Sequence, residues 1–122
     1  MASKGIQEFV GVLFLSRDYA HKAHLNAKTL AEHKHLQKFY ENIVDLTDRF
    51  VECWQGRNLK LIGEIPSLPE PTSTSLNVMK RFLEILEQTR DFDPATDTVL
   101  NNLIDEIIAE FLRVIYKLNF LK

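Results

Sequence analysis

The chain has little of what most small enzymes are built from. Its single cysteine, Cys53, excludes an internal disulfide and a cysteine-rich zinc site, and accords with a reducing compartment. Only four glycines occur in 122 residues, none in a phosphate-cradling loop. There is also no Ser, His and Asp set around a strained nucleophile turn, so nucleotide enzymes and serine hydrolases are excluded. Neither sign of charge dominates: 15 Lys and Arg against 17 Asp and Glu give a net charge of −2. That balance lacks the basic footprint of a nucleic-acid binder. The apolar run Phe9 to Leu15 is bracketed by Glu8 and Arg17 and falls far short of the ~20 residues that span a bilayer. No secretion signal, internal repeat or low-complexity tract is evident. The expectation is a cytoplasmic protein with no membrane segment and one domain, residues 1–122, large enough for a single core.

What is present is helical periodicity. Ile6, Phe9, Val10, Leu13 and Phe14 recur at three- and four-residue intervals, which predicts an amphipathic helix α1 over about 4–25. The same face returns at His21 and His24, so both imidazoles are expected to point inward. Thr29-Leu30-Ala31-Glu32 has the form of a reciprocal cap. It predicts helix α2 over about 30–55, with Leu36, Phe39, Tyr40, Ile43, Val44, Phe50, Val51 and Trp54 inward and Gly56 as its stop. So short a turn makes α1 and α2 antiparallel and is expected to set His21 beside His33.

Residues 57–74 hold Gly63, Pro66, Pro69 and Pro71 and no sustained period, which predicts an irregular crossover running the length of a helix. Helix α3 is expected over about 75–89 from a cap among Thr72, Ser73 and Thr74, with Leu76, Met79, Phe82, Leu83 and Leu86 inward. Asp93-Pro94 is a further start signal and predicts α4 over about 94–120. The apolar surface of α4 exceeds what three partner helices cover, so part of it is expected to face another subunit. Two short-loop hairpins joined by one long crossover predict an all-α, ferritin-like four-helix bundle, a class that places metal between facing helices.

All four histidines, His21, His24, His33 and His35, lie in one stretch that also leads to Asp48 and Glu52. Neutral imidazole with carboxylate suits Fe(II), Mn(II) or Zn(II). His33 and Asp48 share a helix, so at ~1.5 Å per residue they stand roughly 22 Å apart and cannot hold one ion within one chain. Asp48 and Glu52 are one turn apart and can converge. A real site therefore predicts a twofold dimer or larger homo-oligomer, the His pair of one copy meeting the carboxylate pair of the next. Taken singly, each of these residues also has an ordinary structural explanation, as a core histidine or a solvated flank.

The spacing of His21, His33, Gln37, Asp48 and Glu52 resembles that of the Dps miniferritins over about residues 18–56. The resemblance implies an intersubunit non-haem iron site that oxidises or sequesters Fe(II). Gln37 departs from it, standing where that family has an acidic ligand, and His24, one turn from His21, is the residue that could replace it. Lys22 stands where that family usually has Trp, and no lysine-rich tail is present. The same stretch, with His21, His24, His33, Phe39-Tyr40, Asp48, Glu52 and Gln55-Gly56, is similar to a group of small uncharacterised bacteriophage proteins. That second resemblance implies a phage origin. It leaves open a non-catalytic accessory bundle acting on a host protein in the host cytoplasm, with a degenerate metal site.

Overall fold

The computed structural model describes the backbone of residues 2–91 and 96–122, and side chains from Gly5 onward within them. Regular structure among the described residues is four α-helices and no strand: α1 Ala2–Leu25, α2 Leu30–Asn58, α3 Ser75–Thr89 and α4 Thr98–Phe120. None of them is long and apolar enough to cross a membrane. The Asp93-Pro94 start signal lies outside the described residues. The cap that is described for α4 is Asp97, whose carboxylate accepts from the Leu100 amide at 3.1 Å and from Arg57 Nε at 2.8 Å. The Leu100 amide, with the Arg57 guanidinium beside it, holds that carboxyl below its ordinary range.

Each helix packs on two neighbours, α1 on α2 and α3, and α4 on α2 and α3, which is a square bundle with α1 diagonal to α4. End-to-end contacts fix the directions. Ser75 at the start of α3 donates to Glu32 at the start of α2 (2.9 Å), so those two starts share an end of the bundle. His35 near the start of α2 takes the Leu121 carbonyl after α4 at 2.8 Å, and Arg57 at the end of α2 meets Asp97 before α4. The order is therefore α1 up, α2 down, α3 down, α4 up. The segment between Asn58 and Ser75 has to travel the whole length of the bundle.

That crossover lies along α1. Gln7 Nε2 donates to the Ile62 carbonyl at 2.6 Å, the Ile62 amide donates to Gln55 at 3.1 Å, and the Tyr19 hydroxyl donates to the Ser73 carbonyl at 3.3 Å. At Gly11 helix and crossover approach closely, since a Cβ there would meet Pro66 Cγ at 3.0 Å and the Pro66 carbonyl at 3.1 Å. A side chain at position 11 would prise the crossover off the bundle.

The core runs through the bundle axis and contains Phe9, Phe39, Phe50, Trp54, Phe82 and Phe111. Two inward expectations are corrected. Phe14 is 50% exposed and Val44 is 41% exposed. The buried row of α2 is Leu36, Phe39, Ile43, Thr47, Phe50 and Trp54, and Thr47 tolerates burial by donating its hydroxyl to the Ile43 carbonyl at 2.7 Å. With Thr47 in the row, the stripe centres on Ile43, and Val44, ~100° round the helix, falls outside it. In α3, Val78 is buried while Leu76 and Leu83 are only half-buried.

The end of α2 also differs from expectation. The helix passes through Gly56 to Asn58 and stops at Leu59, which takes the left-handed conformation (φ 52°, ψ 41°) with its side chain in solvent. A Cβ in that region costs ~1–2 kcal/mol. Leu59→Gly is expected to raise the unfolding free energy by about 0.5–1 kcal/mol, the gain being trimmed by the greater freedom of glycine in the unfolded chain. Urea unfolding followed by the fluorescence of Trp54 measures it, and an unchanged or lower midpoint refutes the assignment. Gly11→Val is expected to move the midpoint the other way, by about 1–3 kcal/mol, and full retention of stability there would show that the crossover yields freely.

Candidate functional site at the histidine hairpin

The last turns of α1 and the first of α2 bring three imidazoles together. Asn26 ends α1 by donating its side-chain amide to the Lys22 carbonyl at 2.9 Å, and the Thr29 hydroxyl opens α2 by accepting from the Glu32 amide at 3.1 Å. Only half of the expected reciprocal cap forms. The Glu32 carboxylate accepts from Ser75 instead, tying the hairpin to α3.

His24, rather than His21, lies against His33. Their rings stack with centroids 3.7 Å apart and planes 25° from parallel. His24 Nδ1 is 2.7 Å from the His33 carbonyl oxygen, and His33 Nδ1 is 3.0 Å from the His24 carbonyl oxygen. A carbonyl oxygen only accepts, so both Nδ1 atoms carry the proton and each ring donates to the other's backbone. The hairpin is centred between Ala27 and Lys28, so the last turn of α1, which holds His24, faces the first turn of α2, which holds His33. His24 is buried and His33 half-buried.

His21 is half-buried one turn earlier and stacks on Tyr40 at 4.5 Å and 24°. The Arg17 guanidinium sits 5.9 Å from the centre of that Tyr40 ring, and His24 meets it edge-on at 5.5 Å. Tyr40 is therefore the hub that three polar residues of α1 share. Sequence reasoning placed Tyr40 only in the apolar stripe, and its four-residue distance from Leu36 gave no sign of this role. A second polar contact went unread: Glu110, buried on α4, accepts from Asn42 of α2 at 3.3 Å.

The carboxylates do not join the histidines within the chain. Asp48 and Glu52 are exposed on the later half of α2, Asp48 at the rim of a groove beside Phe14, Arg17 and Asp18. Gln37 donates to Glu41 at 3.2 Å. Among the described residues no group of three or more His, Cys, Asp or Glu could hold an ion. The stack adds a geometric reason. Nitrogen lone pairs lie in the ring planes, and two nearly parallel planes 3.7 Å apart do not converge on an ion ~2.1 Å from each nitrogen. One chain as it stands does not fit a metal, and its four candidate ligands would need a second copy to meet.

Residues 24–118 match the model of DUF5856, a family of unknown function, a span that begins at His24 and leaves His21 outside. The chain is also 27% identical over 112 residues to an uncharacterized 14.6 kDa protein in the mobD-ri intergenic region of Enterobacteria phage T4, an alignment covering 92% of this chain and 86% of that protein. No solved structure matches. The phage part of the resemblance has its counterpart here; the miniferritin part has none among these matches.

The reciprocal bonds predict strong coupling between the two rings. His24→Ala and His33→Ala are each expected to lower the unfolding free energy by about 2 kcal/mol, and the double variant by about 1 kcal/mol less than the sum. Strict additivity in urea unfolding would show that neither ring supports the other.

Proposed function

The chain belongs to the DUF5856 family, and since that membership carries no activity we propose that it is a non-catalytic, phage-type accessory protein: a ferritin-like helical bundle that acts in the host cytoplasm by binding another protein. The observation that carries this reading is the near-parallel His24–His33 stack, whose ring planes 3.7 Å apart do not converge on one ion within the chain. Support comes from Gln37, a neutral side chain in the position where the miniferritin resemblance needs a carboxylate. The relative in phage T4 supports the biological setting. The ferritin-like part rests on the up, down, down, up order with its single full-length crossover.

A second reading is an intersubunit metal site, His21 and His33 from one copy with Asp48 and Glu52 from another, and His24 in reserve. It is favoured by the tautomers. With both Nδ1–H groups donated to carbonyls, the Nε2 lone pairs point elsewhere, the state in which metal-ligating histidines are usually held. Iron bound there, or zinc or manganese in its place, would supply the redox or Lewis-acid chemistry; the chain would contribute ligands and shape.

Metal content of the untagged chain, measured by mass spectrometry with its mass in solution and Fe(II) oxidation in air, separates the two. The accessory reading expects far less than one ion per chain and oxidation no faster than in buffer. About one iron or zinc per chain in an oligomer, lost in both His33→Ala and Asp48→Ala, overturns it and establishes the shared site.

A further inference from the structure

Between α1 and α2, on the outer side of the bundle, runs a groove of about 270 Å³ floored by Leu13, Phe14, Ile43 and Val44, with Arg17, Asp18 and Asp48 on its rim. Phe14 and Val44 are large apolar side chains at the edges of their helices' buried faces, and both stand open to solvent there. Beside the groove, α2 presents Glu41, Asp45, Asp48 and Glu52 in a row, all exposed. Their spacing of four, three and four residues puts them on one face.

Of the cations nearby, Lys38 is exposed on α2 one turn before Glu41, while Arg17 and Arg49 are engaged in ion pairs. Arg49 turns to α4 and holds Glu106 through both carboxylate oxygens at 3.0 and 3.1 Å, and Arg17 bonds Asp18 at 3.1 Å. The row is costly to the chain. Like charges one turn apart repel.

We propose that this groove docks a basic amphipathic helix of a partner protein, which deepens the accessory reading and rests on it. An apolar side chain of that helix seats between Phe14 and Val44. Lysines or arginines flanking it, one turn away on either side, lie over Asp45, Asp48 and Glu52. The apolar floor provides the anchor and the acidic ridge selects the sign of the partner, the usual division in helix-in-groove recognition. The ridge also fixes orientation, because it lies on the α2 side of the groove alone.

The probe is a capped 14-residue synthetic peptide with leucine at helical i, i+3 and i+4 positions and lysine elsewhere, with its leucine/glutamate counterpart as control. Titrated into the full-length 15N-labelled chain, the lysine peptide is expected to shift amides confined to roughly residues 10–18 and 40–52 and to weaken as salt rises. The glutamate peptide is expected to do neither. Asp45→Asn with Asp48→Asn should weaken binding about tenfold, and Phe14→Ala by a similar factor, with the Asn pair leaving thermal unfolding at or above the parent value because it removes like-charge repulsion at exposed positions. Shifts scattered over other faces, or affinity indifferent to these variants, overturn the proposal. So does a dimer in solution that Val44→Lys dissociates, since a second copy would then be the occupant. A metal-free chain that ignores the peptide refutes the groove and leaves the accessory reading standing, whereas stoichiometric metal removes that reading first.

Discussion

Two imidazoles that donate to each other's backbone set the register of the first hairpin, and the rest of the bundle is built on that register. The His24 carbonyl lies in the last turn of α1, where helices leave acceptors without an intrahelical partner, and the His33 ring supplies a donor to it. The His24 ring in turn donates to the His33 carbonyl in the first turn of α2. Once these bonds form, the two helices cannot slide without breaking both. Tyr40 then meets His21, and Phe9 meets Phe50 with ring centres 5.6 Å apart at the other end.

The second helix is the spine to which the others are fastened at both ends. Glu32 receives Ser75, His35 receives the chain after α4, and Arg57 receives the cap before α4. A crossover that must run the full length of the bundle needs a path, and α1 provides one: a glycine where Pro66 comes close, a glutamine that reaches the Ile62 carbonyl, and Tyr19 at the far end. Burial pushes the Tyr19 phenol up, as expected for a hydroxyl enclosed between helix and crossover.

The histidines and carboxylates that look like one constellation along the chain thus divide into two neighbourhoods with different physics. At the hairpin, polar groups face one another under cover and satisfy backbone acceptors, which makes them part of the fold. Further along α2 the carboxylates face water beside an apolar groove, with no cation among the described residues paired to Asp45, Asp48 or Glu52, and what they favour is a cation brought from outside. A chain of net charge −2 can still present an acidic face when the arginine beside it, Arg49, is turned to another helix. Composition averages over that distribution, whereas recognition depends on it.

The apolar period by itself determined the helical character of the chain, because burying an amphipathic stripe is the main source of helix stability in a domain. Caps were legible where the cap is local: the Thr29 and Thr74 hydroxyls each reach an amide three residues on. What depended on other parts of the chain was not legible. Glu32 completes no reciprocal cap because Ser75, 43 residues away, competes for it. Thr47 displaces Val44 from the core row because its hydroxyl finds a carbonyl one turn back, while α1 and α2 leave a groove over Val44. The candidate site follows the same rule. Sequence brought the histidines to one hairpin, since a short turn between two helices allows little else. Only the tertiary structure decided that His24 would be the partner of His33, that both rings would donate to carbonyls, and that Asp48 would stand apart from them, because ring orientation and helix phase are set by packing across the hairpin.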